Sequence, residues 1–391
     1  MKLTQVYELV NQATQEATGQ AELLAKDLSN ITDVGKEVIG AEALDHYTKS
    51  LVNHIGRVVV DSREYTTVLP SVLKDSWEYG SILERIKMDL IEAEENPTWK
   101  LEDRKDYSPN IFYQPKVTAK FFNSKTTFEI PISFTELQVK ESFSSAEQLN
   151  AFVSMIQNAV SNSITVKMDS LVMDTINNGT AETLVSDLLT EDDVTLDLTK
   201  SGNKAINLLA LYNADKAPEE QLTAEQAIKD ADFIKFASYT IHLYKDRLAR
   251  ISTIFNVEGK QRFTPESENH LVLLTDFASA SKVYLESEAY NKELLALPKY
   301  ETVPYWQGSG TGYDFADVSK ISVKTAGTNK TVEANGIIGV MFDNVALGVT
   351  NLDQRVQSSF NPKAEFYNNF YKNDVGFFND LGENFVVFFV A

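Results

Sequence analysis

The 391-residue chain contains no cysteine and only four histidines. The absence of cysteine excludes disulfides, thiolate nucleophiles, zinc ribbons and iron–sulfur clusters, and it is compatible with a reducing compartment. None of the histidines shows a metal-ligand spacing such as His-x-x-x-His, and they stand at His46, His54, His242 and His270. The composition therefore gives no support for metal binding.

Long apolar runs and a basic surplus are also missing. The longest clean apolar run, 385–391, is far shorter than the roughly twenty residues that cross a bilayer, and residues 1–19 are too polar for a signal peptide. We expect a protein made in the cytoplasm with no membrane partner. The 36 basic and 56 acidic residues give a net charge of −20. Sequence-specific nucleic-acid binding, which needs a basic surface, is therefore disfavoured.

Catalytic signatures are absent from the sequence as well. The loop 308–312 lacks the Gly-Lys-Ser/Thr ending of a phosphate loop, and no Gly-x-Ser-x-Gly elbow occurs. The acidic runs 92–95 and 191–193 lack the spacing of a calcium loop. We predict that the protein is not an enzyme and needs no cofactor. An acidic hydrolase, with carboxylates that converge only in three dimensions, is the formal alternative.

The most informative segment of the chain, 81–176, combines a strand pattern with a helix pattern. Ile86, Met88 and Leu90 alternate with polar residues, and a longer alternation covers 117–134. This pattern predicts one long β-hairpin, with Pro131 at a sheet edge or a bulge because it cannot donate a ladder hydrogen bond. A long hairpin has little interior of its own. We therefore expect its apolar side to lie on another copy of the chain.

The predicted tip of the hairpin, 92–112, is polar but carries aromatic residues. A loop of this length is either a mobile excursion or a binding loop. Aromatic residues are enriched at interfaces, which favours a docking loop. We predict intersubunit contacts at the tip and on the return arm, made by Trp99, Arg104, Tyr107, Phe112, Phe121 and Phe122.

A long amphipathic helix is predicted over 145–177. Ser144 and Glu147 match a capping box, and Asn178-Gly179 matches a left-handed C-cap. A coiled coil is the competing interpretation, but polar residues interrupt its seam and no charge pattern persists beside it. We therefore predict a single spine helix, on the order of 45 Å long, packed on a sheet. Its apolar series is Leu149, Phe152, Val153, Ile156, Val160, Ile164, Met168, Leu171 and Val172.

The regions on either side of the segment 81–176 differ in their sequence patterns. Residues 1–56 are helical and mostly polar, with narrow apolar stripes that suit a segment lying across a neighbour, and 57–60 is a strand candidate. From residue 205 onward, helices and strands alternate as in a compact α+β unit. Strand-like runs occur at 270–274, 321–324, 337–342, 346–349 and 385–390.

This order of parts resembles the major capsid proteins of tailed bacteriophages. The best local resemblance lies in 336–349, then Arg355, Asn361, the aromatic 366–370 and the closing run 384–390. The resemblance implies an α+β tailed-phage major-capsid fold with four parts. These are an N-terminal arm (1–56), a peripheral domain (57–77, 137–200 and 346–391) with the spine helix 145–177, an extended loop (78–136) and an axial domain (201–345).

The resemblance also implies a structural function. Subunits would form pentamers and hexamers of an icosahedral head around double-stranded DNA, without sequence-specific binding, and would be found in the virion after assembly in the host bacterial cytoplasm. A portal protein would be a partner. A separate scaffolding protein is expected too, because an arm of about 56 residues is short for a cleavable assembly domain. Alternatives are an encapsulin-like nanocompartment shell and, less favoured, a cell-surface adhesin.

Overall fold

The helices and strands of the computed structural model define a mixed fold. The structure describes residues 3–19, 24–26, 28–40, 43–61, 69–74, 83–88, 91, 93, 99–107, 110, 112, 114–190, 195–287, 297–307, 314–325 and 331–391. Within these ranges the helices are α1 (Leu3–Thr18), α2 (Ile31–Gly40), α3 (Leu44–Asp61), α4 (Glu136–Ser142), α5 (Ala146–Leu188), α6 (Leu208–Asn213), α7 (Ala224–Ala227), α8 (Ala231–Leu248), α9 (Thr275–Ser287) and α10 (Phe315–Val318).

The strands form two larger sheets and two hairpins. They are β1 (Leu73–Lys74), β2 (Leu83–Met88), β3 (Val117–Phe122), β4 (Lys125–Thr135), β5 (Ala205–Asn207), β6 (Asn269–Leu274), β7 (Tyr300–Val303), β8 (Ile321–Lys324), β9 (Thr331–Ala334), β10 (Ile337–Asp343), β11 (Leu347–Asn361), β12 (Phe366–Asn379) and β13 (Phe385–Phe389). The predicted α+β class is confirmed. The chain divides into a first unit (Met1–Tyr79, Lys125–Asp174, Gly348–Phe377) and a second unit (Gly80–Ser124, Thr175–Leu347, Phe378–Ala391).

The first unit contains a four-stranded sheet in the order β1-β11-β12-β4. Strand β12 is antiparallel to β4 over a continuous register from Phe366↔Thr135 to Gly376↔Lys125. In the core of this unit, the Phe134 ring centroid lies 5.4 Å from that of Phe152 on α5 and 6.0 Å from that of Tyr367 on β12. Strand β4 is therefore an integral edge strand of this sheet.

This pairing corrects the predicted long hairpin. The first arm, β2, pairs only with β3, and the second half of the predicted return arm pairs with β12 instead. The apolar side chains Phe128, Ile130 and Ile132 are half-buried within their own unit. The expectation that Pro131 lies at a sheet edge is confirmed, because β4 is the outermost strand. Leu90 lies outside the described residues.

The N-terminal helices α1, α2 and α3 also depart from the sequence interpretation. Val10, Val38 and Leu51 are buried in the first unit, so the narrow apolar stripes are covered by their own unit and not by a neighbour. The Tyr47 ring on α3 packs against Phe143 at 5.0 Å between centroids. The strand predicted at 57–60 is wrong, since α3 continues through it to Asp61.

Helix α5 confirms the predicted spine helix and corrects both of its ends. The cap is Ser145, whose Oγ accepts a hydrogen bond from the Gln148 backbone N–H at 3.2 Å, one residue beyond the predicted Ser144. The predicted C-cap at Gly179 is wrong, because the helix runs on to Leu188. Gly179 serves packing instead, since a Cβ there would lie 3.1 Å from the Phe385 ring. Every member of the predicted apolar series except Leu171 is buried.

The second unit is built on a five-stranded mixed sheet in the order β5-β13-β10-β6-β7. The central strand β10 is antiparallel to β13 and β6, whereas the outer pairs β13–β5 and β6–β7 are parallel. Its buried core includes Phe233 of α8, Phe277 of α9 and Phe388 of β13. Asp230 caps α8 by accepting the Phe233 backbone N–H at 2.8 Å. The hairpins β2–β3 and β8–β9 belong to the same unit.

Candidate functional site

The β2–β3 hairpin has an outer face and an inner face of opposite chemistry. Successive side chains of a strand point to opposite faces, and the register pairs Ile86 with Ala119 and Arg85 with Lys120. The outer face carries Ile86, Met88, Val117 and Phe121, together with Ala119 and one charged residue, Glu84, and it is exposed, with Ile86 65% and Phe121 63% accessible. The inner face carries the basic side chains. The usual arrangement of a half-buried strand, with apolar side chains inside, is therefore reversed.

The inner face lies on carboxylates of the same unit. Lys120 Nζ lies 2.6 Å from Glu258 Oε1 and 2.6 Å from Asp380 Oδ1. Lys87 pairs with Glu383, whose other cationic partner is Arg262 at 3.2 Å. The side chains of Asp380 and Glu383 are only 1% and 5% exposed. Since a buried charge is costly unless it is paired, Asp380 needs the hairpin cations, whereas Glu383 also has Arg262.

Arg85 combines an ionic role with an aromatic one. Its guanidinium carbon lies 4.4 Å from the Phe378 ring centroid, and its Nη1 lies 3.7 Å from Asp380 Oδ2. Nη1 also donates a hydrogen bond to the Val345 carbonyl. A planar guanidinium suits such combined stacking and hydrogen bonding better than an ammonium does. Burial lowers the pKa of Arg85, although nearby carboxylates, Asp380 first among them, oppose this effect.

The electrostatics of Lys120 have the opposite outcome. Burial lowers the pKa of Lys120, but hydrogen bonds to Asp380 and Glu258 outweigh it and raise that pKa above its ordinary value. The ammonium is thus held in its charged form. Gly382 leaves room for this arrangement, because a Cβ there would lie 2.8 Å from both Lys120 Nζ and Glu258 Oε2.

The residues predicted to make intersubunit contacts fall into three environments. Trp99, which is 94% exposed, and Phe112 project into solvent, and Phe121 lies on the outer face of the hairpin. Phe122 instead lies on the inner face, 5.3 Å from the Phe378 ring centroid, so its own unit partly covers it. The roles of these residues in contacts between copies stay predictions.

Arg104 and Tyr107 make local interactions within the predicted tip. Arg104 has a positive φ of 66°, and its Nε lies 3.9 Å from Asp103 Oδ2. The Tyr107 hydroxyl accepts the Glu102 backbone N–H at 3.1 Å. The predicted tip therefore has local turn structure in the part that is described.

On the outer face only Phe121 was predicted to make contacts, although the alternation of Ile86, Met88 and Val117 is the signal that identifies this face. The inner carboxylates Asp380 and Glu383 were not predicted at all. Lys87 and Glu383 are 296 residues apart in the chain. No sequence pattern links the loop that follows β12 to a hairpin so far away.

The described part of the chain lacks the side-chain groupings of a metal site and a helix that could span a membrane. It contains no group of three or more His, Asp, Glu or Cys side chains arranged to hold a metal ion. None of its helices is long and apolar enough to cross a membrane. The loop 308–312, the acidic run 191–193, Glu92, Glu94 and Glu95 lie outside the described residues.

Comparison with protein families decides the identity. Residues 9–389 match the family model described as Phi29-like phage major capsid protein. The chain belongs to this family. Its function is therefore structural, as a major capsid protein of a phage virion, and its α+β fold is that of a phage major capsid protein. A search of curated protein sequences finds no match.

Solved phage structures show a distant likeness. The match to the capsid structure of Staphylococcus phage Andhra has 9% sequence identity, covers 82% of this chain and 83% of the phage chain, and gives a TM-score of 0.45. The head fiber and inner core protein structure of bacteriophage P68 has 11% identity, 83% and 85% coverage, and a TM-score of 0.46. The Cyanophage P-SCSP1u capsid has 12% identity, 83% and 88% coverage, and a TM-score of 0.43. The family assignment rests on the family model.

Proposed function

We propose that this capsid protein forms pentamers and hexamers that tile into an icosahedral head enclosing double-stranded DNA. The observation that carries the proposal is the exposed apolar outer face of the hairpin, Ile86, Met88, Val117 and Phe121, in a protein whose family builds shells. Closed rings place one surface of each subunit against a different surface of the next, in a head-to-tail interface. The outer face is a surface of this kind, and its occupant is a second copy of the chain.

Burial of this face contributes favourably to assembly. Burying a large apolar side chain that is otherwise exposed contributes about 1.5–3 kcal/mol. The tip adds Trp99 and Phe112, which are also exposed. Aromatic anchors of this type dominate interface energies. The net charge of −20 opposes unspecific association of free subunits, so directed contacts decide when shells form.

The parts of the chain have proposed roles in this assembly. Residues 78–136 act as the extended loop that contacts the neighbour, and 201–345 act as the axial domain around the five-fold and six-fold centres. Residues 57–77, 137–200 and 346–391 form the peripheral domain. The N-terminal 1–56 is assigned as the arm. Its buried stripes in the first unit leave only its remaining surface for a neighbour.

Further partners follow from the same proposal. Assembly takes place in the host bacterial cytoplasm with a separate scaffolding protein, and a portal protein occupies one vertex. The acidic surplus suits an inner wall that repels phosphate and lets the DNA slide during packaging. A basic inner surface in the assembled head would contradict this last point.

The experiment is expression of the chain alone and together with the scaffolding protein, followed by negative-stain electron microscopy. We expect closed particles with pentamers and hexamers in the co-expression. The double variant Ile86→Ser/Phe121→Ser should give soluble subunits without particles. The matched control is Val166→Ser, an equally exposed apolar position on α5, which should still give particles. Normal particles from the double variant would contradict the proposed contact.

The nanocompartment alternative makes a different prediction about contents. A phage head assembled with its packaging machinery holds double-stranded DNA that nuclease cannot reach, whereas a nanocompartment holds a cargo enzyme. The family match favours the phage head. Nuclease-protected DNA in particles purified from infected cells would support it, and an enclosed enzyme without DNA would contradict it.

A further inference from the structure

We propose that the inner charge cluster, which consists of Arg85, Lys87, Lys120, Glu258, Asp380 and Glu383, is a lock that holds the hairpin on its own subunit and fixes which face is presented to the next copy. These are positioning residues, because they hold the outer face in place and do not themselves contact the next copy. The inference rests on the proposed function, because the outer face is taken to be the contact surface.

Within the described residues, the β2–β3 hairpin is held on its unit mainly by its charged inner face. A two-stranded hairpin is at best marginally stable in water unless it packs against something. The apolar side chains of β2 and β3 that could supply hydrophobic packing are mostly on the exposed outer face. On the inner face, the Arg85 guanidinium and the Phe122 ring lie against Phe378, and Leu83 is half-buried. Lys87 and Lys120 contribute ion pairs.

The buried carboxylate of Asp380 depends on the cations of the hairpin. Asp380 is nearly fully buried and lies within 4 Å of both Lys120 and Arg85. If the hairpin lifted, Asp380 would lose both of these partners. Breaking a buried pair from one side is much more costly than the net contribution of the pair. The cluster therefore favours the seated hairpin strongly over the released one.

The charge cluster also sets which face of the hairpin points outward. Because side chains alternate with a period of two, a slip by one residue would exchange the two faces. Such a slip would place Ile86 or Phe121 against Asp380 and Glu383 and would expose the lysines. The paired charges exclude that register. The lock thus determines that the neighbour meets apolar side chains.

The test measures hydrogen exchange of the backbone amides in the full-length, unassembled subunit. In Lys120→Met and in Arg85→Met, exchange over 83–88 and 117–122 should accelerate by about tenfold or more, because charge-assisted hydrogen bonds of this kind shift a local opening equilibrium by at least that factor. Strands β6, β10 and β13 should stay protected. The matched control is Lys116→Met. Lys116 immediately precedes β3, is exposed and forms no ion pair within the described residues.

Two further variants keep the test decisive. Lys120→Arg keeps the charge and should exchange within about twofold of the wild type, which a purely steric role of the side chain would not predict. Glu258→Gln removes a partly exposed partner and should accelerate exchange by a smaller factor even if Lys120→Met fails to fold. Unchanged hairpin exchange in Arg85→Met and Glu258→Gln would overturn the lock, as would Lys120→Arg exchanging as fast as Lys120→Met.

The failure of the lock and the failure of the proposed function give different results. Outer-face substitutions such as Ile86→Ser/Phe121→Ser should abolish particles while hairpin exchange in the free subunit stays at the wild-type rate. If those variants assemble normally but the inner variants still release the hairpin, the contact surface is wrong and the lock stands. If the inner variants change neither exchange nor particle yield, the lock is wrong.

Discussion

Two glycine residues of the second unit allow the effect of backbone strain on stability to be distinguished from the effect of a steric clash. Gly336 and Gly259 both have positive φ, 77° and 65°. A Cβ on Gly336 would lie 1.8 Å from the Val390 carbonyl oxygen, whereas nothing lies within 4 Å of a Cβ on Gly259. An alanine would therefore have a strained backbone conformation at both positions, and at Gly336 its Cβ would also clash with the backbone of Val390.

We predict that Gly336→Ala lowers the free energy of unfolding by about 3 kcal/mol or more, since it adds a clash to the strain of a left-handed residue. Gly259→Ala, the control, should lower it by only about 1 kcal/mol. Urea denaturation of the free subunit measures both. Equal losses in the two variants would show that the approach to Val390 is less close than the structure indicates.

Asp187 is the residue whose pH dependence is best defined. Its carboxylate accepts the backbone N–H groups of Lys204 at 2.7 Å and Ala205 at 3.0 Å and pairs with Lys204 Nζ at 2.9 Å. Burial raises the pKa of Asp187, but these hydrogen bonds outweigh burial and hold that pKa below its ordinary value of 3.8. The folded state therefore favours the charged carboxylate more than the unfolded state does.

This direction sets the window in which Asp187 stabilises the fold. Its contribution is complete above the unfolded pKa and is lost as the pH falls through the lower folded pKa. We predict that Asp187→Asn lowers the free energy of unfolding by about 2 kcal/mol at neutral pH. The difference between wild type and variant should shrink at about pH 2.5. Urea denaturation at both pH values measures it, and a difference that grows on acidification would refute the assignment.

Residue-level signals in the sequence were reliable where the backbone alone decides. An Asn-Gly dipeptide is typical of a turn, and in Asn335-Gly336 the glycine adopts a left-handed conformation. The same dipeptide signal at Asn178-Gly179 was wrong, because there the glycine makes space for Phe385 and Asn177 Nδ2 donates to the Trp306 carbonyl at 2.7 Å. Sequence cannot separate a glycine needed for its φ from one needed for its small size.

At the scale of elements, alternation identified strands but not their partners. The pattern in 125–134 fits pairing with the first arm of a hairpin as well as it fits pairing with β12, and only the structure shows the second arrangement. Helix α5 was predictable because its apolar series is long and regular. Its true end was not, because it depends on contacts with β13, which lies far along the chain.

The pairing of β4 with β12 is testable by an engineered disulfide. Ser133 and Asn368 are directly opposite, with Oγ and Oδ1 2.6 Å apart, and the chain has no cysteine of its own. We predict that Ser133→Cys/Asn368→Cys forms an intramolecular disulfide in mild oxidant, since opposed residues meet the distance requirement. A mobility shift on non-reducing gels, reversed by reductant, measures it.

The control for this cross-link is Ser133→Cys/Lys372→Cys. Lys372 is opposite Glu129, four residues away from Ser133 along β4, so its cysteine lies beyond disulfide reach. Efficient cross-linking of the control, or none in the Ser133–Asn368 variant, would mean that β4 pairs elsewhere, as in the long hairpin that the sequence first suggested.

For the whole molecule, the order of parts carried most of the functional inference. It identified a phage major capsid protein, and the family match confirms that assignment. The site was only half predictable: alternation revealed an apolar hairpin face, but not that its basic face would be held by Asp380 and Glu383. Periodicity records which face is apolar and contains no information about where the other face docks.

The tip of the hairpin provides a prediction at this scale. Deletion of 93–111 should leave a folded subunit that cannot form shells, because the exposed Trp99 and the rest of the tip are proposed to contact the neighbour. Circular dichroism verifies folding, and electron microscopy of the co-expressed protein counts particles. Particles of normal size and yield after this deletion would show that the tip has no docking role.

The central claim is that a second copy covers the outer face of the β2–β3 hairpin in the shell. Because the chain has no cysteine, Ile86→Cys places a unique thiol at the middle of that face. Maleimide labelling should be rapid in the free subunit and strongly suppressed in intact particles, and it should be complete after the particles are denatured. Equally rapid labelling in the free subunit and in intact particles would contradict the account.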